Sequence, residues 1–451
     1  MGPLRDILIA TIILSLLPVS FWRPWIGILV WTWLGLMNPH RLGWTVVAWA
    51  IPWAQMVGIA VLAGFFFSRD RGFPPLMRET FLLFCFWVIC FLSTVFFSLY
   101  PDQAWGYFMR VSKIFLMIFV TLALIYNQKR LKALIWVTAL SIGFYGFKGG
   151  IWAILTGGQH QVIGPYRSFI EGNTELGLAM VMVLPLFLLL AREATYVWLK
   201  YFLYSMFGLS VIAILVTYSR GAFLGLGVVL TILFLKSRGK VIALVLVILA
   251  TPLVLDFLPE QWFGRMSTIQ NYEKDASANA RLVAWEVALK IALDHPILGA
   301  GFLPFTEDNF RFYVPWYGGI AHDAHNIFLQ VLAEHGFIGL GFYVALWVST
   351  ILSLRKIVRI GMGDPAKQWM VSYSQMIQAG LFGFVVSGFF LSLSYFDLYY
   401  VFVALTIILK KLSDSYEPQE GVVELSEPTF PLPVKERAQH VVGMKLPEMR
   451  G

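Results

Sequence analysis

The strongest constraint on this chain is its succession of apolar runs, at 46–67, 79–99, 108–126, 131–155, 174–191, 197–217, 220–236, 240–257, 324–353, 369–391 and 394–411. Each comes near the roughly 20 residues that a helix needs to cross a bilayer. Backbone in lipid must satisfy its hydrogen bonds within the crossing segment, so such runs specify helices. Residues 7–37 hold two shorter runs split by Phe21-Trp22-Arg23-Pro24, which read as one broken span, a re-entrant hairpin or two short helices. Only 13% of the 451 residues are charged, where a soluble domain carries about 25%. The expected fold is therefore an all-α polytopic membrane protein of about twelve transmembrane helices.

Basic residues orient these spans. The segments 68–78, 127–132, 192–200, 236–240, 354–367 and 410–411 hold seventeen Lys and Arg, against about nine in the opposite loops. Positive loops stay inside, which puts 258–323 outside. The expected organisation is membrane helices over 1–257, an exterior loop over 258–323, membrane helices over 324–411, and a cytoplasmic tail over 412–451. That tail is polar and has five prolines from 413 onward, so disorder is expected there. The first apolar run leads into Arg23 and a second run, so no cleavable signal peptide is expected. The net charge of +8 is spread over short loops and does not form a duplex-binding stripe, which argues against nucleic acid. Cys85 and Cys90 share one apolar run, where a disulfide is not expected.

A loop of this length in a compact protein is usually functional. Within it, 279–294 reads as a helix, with Asn279 at the N-cap, Glu286 and Lys290 at i,i+4, and a stop at His295-Pro296. Leu282, Trp285, Leu289 and Leu293 fall at helical spacing, the pattern of a helix lying on the membrane or capping the bundle.

Several arginines stay outside against the charge rule: Arg110, Arg167, Arg220, Arg265, Arg281 and Arg311. Arg220 sits in the tight turn Thr217-Tyr218-Ser219-Arg220-Gly221 between two spans, and Arg281 opens the loop helix. Planar guanidinium groups recognise phosphate in bidentate fashion, so arginines converging at a membrane face suit a lipid-linked diphosphate. The alternative is that they meet lipid headgroups or pair with Glu260, Glu273, Asp275, Glu307 or Asp308.

Four histidines, His295, His322, His325 and His335, lie in or beside the loop. His322 and His325 are spaced to share a metal, but no HExxH occurs and no cysteine is near, so no metal site is expected. His325-Asn326 stands where the loop meets a span, and a histidine there can accept a proton at neutral pH. Gly336 and Gly339 follow, spaced to share a helix face and admit a neighbouring helix.

These motifs in this order resemble the O-antigen ligase superfamily: Ser219-Arg220-Gly221-Ala222 before a span, Arg281-x-x-x-Trp285 leading to Pro296-x-x-Gly299-x-Gly301, and His325-Asn326 followed after nine residues by Gly336-x-x-Gly339. The likeness covers roughly 169–354, and the Trp- and Pro-rich N-terminal third resembles the O-glycosylation ligase branch associated with exosortase systems. Phe337-Ile338-Gly339-Leu340 departs from the pattern by lacking the small hydroxyl residue often found after the second glycine. The resemblance implies a GT-C-type bundle with one large periplasmic loop containing helices, in the inner membrane. It implies metal-independent, cofactor-free inverting transfer of a glycan from undecaprenyl diphosphate to an acceptor hydroxyl. The expected acceptor is a lipid A-core sugar; transfer to protein Ser or Thr, or polysaccharide polymerisation, are alternatives within the same chemistry. A lipid-linked glycan transporter is the alternative of another class, disfavoured because few ionisable residues (Lys113, Lys148 and Asp397) lie within spans. Carried over by motif, His325 would be the catalytic histidine, and Arg220 and Arg281, with Arg265 less directly marked, would hold the diphosphate. Glu171-Gly172-Asn173 resembles the family's acidic-Asn stretch, which makes Arg167 and Asn173 pocket-lining candidates, and Asn326 is a further substrate-binding candidate.

Overall fold

The computed structural model describes residues 2–43, 45, 49–237, 239–267 and 276–415. Every regular element among these residues is helical. Seven of the described helices, from Leu4–Trp22 to Ile327–Gly361, are long and apolar enough to cross a membrane, and Pro24–Met37 and Trp53–Phe67 are shorter apolar helices. The chain is a multi-pass membrane protein, and residues 1–414 form one unit. The tail expected to be disordered lies, from 416 onward, outside the described residues.

The ambiguous start resolves into two helices. Gly2–Trp22 ends at Arg23, whose φ of −128° and ψ of 74° leave the helical region, and Pro24 opens Pro24–Met37. A proline at the first helical position forfeits no hydrogen bond. The two helices fold back on each other and on Trp53–Phe67, with Gly64 against the Phe21 carbonyl and Gly27 against both Ser20 and Val61. Near the far ends of the two helices, the Asp6 carboxylate accepts the Thr45 N–H at 2.7 Å.

The bundle is centred on Asn173–Glu193, 83% of whose span window is buried, against 28% for Val197–Leu215 at the periphery. Small residues set the spacing: a Cβ on Gly150 would come 2.3 Å from the Leu209 carbonyl oxygen, so Gln128–Leu155 and Val197–Leu215 meet backbone to backbone. At one end of the bundle acids and bases pair. Glu79 accepts from Lys410 Nζ at 2.9 Å and from the Ser349 and Ser353 hydroxyls at 2.6 Å each. Lys132 pairs with Glu193 at 2.8 Å, and Arg130 with Asp70.

Among the described residues, the segment after Phe257 holds three helices, Glu260–Ser267, Ala276–Asp294 and Glu307–Tyr313. The second begins three residues before the expected cap at Asn279 and stops, as the Pro296 position requires, at Asp294. Glu286 and Lys290 pair at 2.7 Å. Its buried face is not the leucine stripe. Val283, Ala284, Val287, Ala288 and Ile291 pack against Ala300, Phe310, Val314 and Ala333, while Leu282, Leu289 and Leu293 remain 46%, 47% and 70% exposed. The helix is apolar on two faces, and the face of small side chains packs closest to its neighbours. The leucines form an outer apolar stripe.

The expected helix-helix contact at Gly336 and Gly339 is also revised. Ile327–Gly361 is two helices joined at Gly336, whose φ of 66° and ψ of −169° are non-helical, so the two glycines do not share one continuous face. At Gly339 the helix Arg78–Phe96 does approach, through Ile89, whereas what approaches Gly336 is a loop. The Ala300 and Gly301 amides donate to the carbonyls of Ala333 and Glu334 at 2.9 Å each, and Phe337 N–H donates to the Pro296 carbonyl at 2.8 Å. A Cβ on Gly336 would lie 2.5 Å from the Ile297 carbonyl oxygen, and one on Gly299 2.4 Å from the Glu334 carbonyl carbon. The Pro296-x-x-Gly299-x-Gly301 motif is thus a clip on the kink, possible only where neither strand of backbone carries a side chain.

Candidate active site

His325 occupies a left-handed backbone conformation, with φ of 43°. A non-glycine residue there carries local strain and persists only if its neighbours hold it. They do so from both sides. The Trp285 indole N–H donates to the Ala324 carbonyl at 2.8 Å. Asn326 is the N-cap of the next helix, its side-chain oxygen accepting the amides of Phe328 at 2.8 Å and Leu329 at 3.1 Å. The His325 amide itself donates to Ser392 Oγ at 2.8 Å. Asn326, buried and engaged in capping, acts in this structure as the anchor of the histidine.

The His325 imidazole is held below its ordinary pKa, first by burial, then by the Arg281 charge and His322, with Asp323 opposing. Such a ring is neutral at physiological pH and available as a proton acceptor. Arg281 also lies within electrostatic reach of Glu175. Three segments far apart in sequence, 175, 281 and 322–325, therefore meet at one place.

A second group of candidates surrounds Arg220, the first residue of Arg220–Lys236. Ser219 caps this helix, accepting the Ala222 amide at 3.2 Å. The preceding turn is pinned by the other candidates: the Asn173 amide donates to the Thr217 carbonyl at 2.7 Å, and Arg265 Nε to the Tyr218 carbonyl at 2.9 Å. Tyr218, itself at φ of 56°, donates its hydroxyl to the Gly158 carbonyl at 2.7 Å. Asn173 and Arg265 thus position the arginine through the backbone of its turn. On the far side Gly221 packs against the Ser387 carbonyl and Phe390, which brings this turn to the 387–392 segment that also holds His325.

Arg167 stands elsewhere. Its amide donates to Glu171 at 2.8 Å, its guanidinium lies 5.4 Å from the Tyr166 ring centroid, and its charge acts on Arg41 together with that of Arg110. Of the histidines considered together in sequence, His335 is wholly buried beside Ser93 Oγ at 2.6 Å and Cys90 Sγ at 3.3 Å, under the clip. Its neighbour Glu334 accepts the Tyr395 hydroxyl at 2.5 Å. Among the described residues no three His, Cys, Asp or Glu side chains gather as a metal site. Sequence reading missed Glu175 and Ser392. Glu175 lies two residues beyond the acidic-Asn stretch already noted, whereas Ser392, in a polar break between two spans, becomes visible only through its bond to His325.

Residues 205–344 match the family model described as O-Antigen ligase, and residues 4–195 match a family of unknown function (DUF5935). No curated protein matches the chain. Residues 205–344 thus carry an O-antigen ligase domain, in agreement with the resemblance read from the motifs. That domain supports a membrane enzyme of the ligase and polymerase class, a class whose substrates are lipid-linked glycans. The family match contains Arg220, Arg265, Arg281 and His325 but neither Glu175 nor Ser392, so the pocket is completed by elements on both sides of it.

Proposed function

We propose that this protein transfers a glycan from undecaprenyl diphosphate to an acceptor hydroxyl, with a lipid A-core sugar as the acceptor, by metal-independent inverting substitution at the periplasmic face of the inner membrane. In this reading the helices form a GT-C-type bundle of about twelve spans, and 258–323 is the periplasmic loop. The observation that carries it is the meeting of Arg281 with a half-buried His325 on a strained backbone held by Ser392 and Trp285. A neutral imidazole beside a guanidinium suits a reaction that removes a proton at one atom and releases negative charge at another.

The acceptor oxygen attacks the anomeric carbon as His325 takes its proton, and the bond from that carbon to the diphosphate oxygen breaks. The charge that develops on the departing diphosphate is met by Arg281 and Arg220. Because the guanidinium groups face charge that grows along the reaction, they stabilise the transition state more than the ground state. Asn173 and Arg265 hold the Arg220 turn, which keeps that group from relaxing away.

The test is reconstitution with undecaprenyl-diphosphate glycan and mass analysis of the product. Glycan recovered on lipid A-core, with full activity in excess EDTA, is the expected result. Label found on protein, or only in lengthened donor, would move the assignment to protein O-glycosylation or polymerisation; activity lost to EDTA and restored by a divalent ion would overturn the metal-independent reading.

A further inference from the structure

The segment that matches the family of unknown function builds a cavity of about 630 Å³, whose lining includes Trp31, Trp49, Trp53, His40, Arg41 and the pair Arg110 and Lys113. Its polar groups are arranged in a way that packing alone does not require. Arg110 and Lys113 are i,i+3 on Pro101–Leu124, both exposed to the cavity although that helix is long and apolar enough to cross a membrane. A cation at such depth normally faces water, a partner or a ligand. His40, only 7% exposed, leaves Nδ1 without a hydrogen-bond partner, and the Nε of Arg41 is buried without one as well. None of the residues lining the cavity is acidic.

The surrounding charges do not neutralise it. Burial lowers the proton affinity of Arg41, and the charges of Arg167 and then Arg110 add to that effect. Arg110 lies 4.0 Å over the Phe169 ring and within electrostatic reach of Asp397, but forms no ion pair among the described residues. Like charges held near one another, an unpartnered buried guanidinium N–H, an unpartnered buried ring nitrogen and tryptophan walls together describe a site suited to an anion. Guanidinium forks match the oxygens of a phosphate through paired hydrogen bonds, and the added ammonium of Lys113 suits its second charge, while tryptophan faces suit the ring of a sugar or the start of an alkyl chain.

We infer that this cavity binds a phosphate monoester carried on an amphiphile or sugar, at a site separate from His325 and Arg220. Phosphate oxygens would meet Arg41, Arg110 and Lys113, His40 would face them from the buried side, and the apolar part would lie along Ile59, Leu62 and Leu116.

The experiment is calorimetric titration of the full-length protein in nanodiscs with dodecyl phosphate, glucose 1-phosphate, and uncharged dodecyl maltoside as control. Saturable binding of at least one phosphate ester is expected, weakened tenfold or more in Arg41→Gln/Lys113→Gln, partly kept in Arg41→Lys, and unchanged in Arg220→Ala. Binding of the alkyl ester alone identifies a lipid ligand; binding of the sugar ester alone identifies a soluble one. Absence of phosphate binding by the wild type, equal binding of the maltoside, or binding lost in Arg220→Ala but kept in the double variant would overturn the assignment. Lys113→Gln, at an exposed position, serves the comparison if the double variant does not fold. Transfer activity is not the readout, so this result stands or falls apart from the proposed reaction.

Discussion

The two ends of the helical bundle treat charge in opposite ways. At one end Glu79 and Lys410, Glu193 and Lys132, and Asp70 and Arg130 neutralise one another, with serine hydroxyls filling the remaining valences of Glu79. At the other, Arg110 and Arg167 act on Arg41 and themselves lie against aromatic rings, none of the three forms an ion pair among the described residues, and Arg281 lies within electrostatic reach of a histidine. Paired charge serves cohesion, and mutually repelling charge persists only where something outside the chain answers it. The difference marks one end as structural and the other as the working end.

Removing a partner at each end should separate these roles. Glu79→Ala should produce the largest loss of stability, about 3–5 kcal/mol, because it leaves the Lys410 ammonium buried without compensation; thermal unfolding of the purified variant measures it. His325→Ala should leave unfolding nearly unchanged while glycan transfer falls by about 10²–10⁴-fold, the span usual for a lost general base. Equal loss of stability from both substitutions would erase the contrast between the ends.

Gly336→Ala comes next in size. A methyl group there meets the Ile297 carbonyl and forces a positive φ on alanine, so a destabilisation of about 1–3 kcal/mol is expected, together with reduced transfer because the clip sits directly after the histidine's helix. Trp285→Phe removes only the bond to the Ala324 carbonyl. A cost of about 1 kcal/mol and a modest fall in transfer, with no change in donor affinity, would show that this bond orients His325.

The smallest effect concerns pH. Because burial and then Arg281 lower the His325 pKa, the acid limb of kcat/KM should lie below the ordinary histidine value of about 6.5. Arg281→Gln removes one of the lowering influences, so the limb should move to higher pH; carbethoxylation of His325 followed across pH gives the same direction where activity is too low to measure. A shift to lower pH would mean that Arg281 does not act on this histidine.

Much of this molecule is local in origin and therefore legible in its sequence. Apolar runs of crossing length specify helices because backbone in lipid has no other partner. Ser219 and Asn326 announce helix starts because their side chains reach amides two or three residues on. His325, Arg220 and Arg281 stand out because ionisable groups beside spans are costly to keep. Periodicity failed where a helix has two apolar faces: in Ala276–Asp294 the leucines are more hydrophobic, yet the alanines and valines are buried, since close packing depends on what lies opposite. The kink at Gly336 was hidden for a related reason, as a glycine in an apolar run reads as a helix contact until the 296–301 loop is seen bonded across it. The left-handed backbone of His325, its bond to Ser392, the pinning of the Arg220 turn and the convergence of Arg41, Arg110 and Arg167 were decided by tertiary structure alone. Each joins residues tens to hundreds of positions apart, and only the packing of whole helices brings such residues to one place.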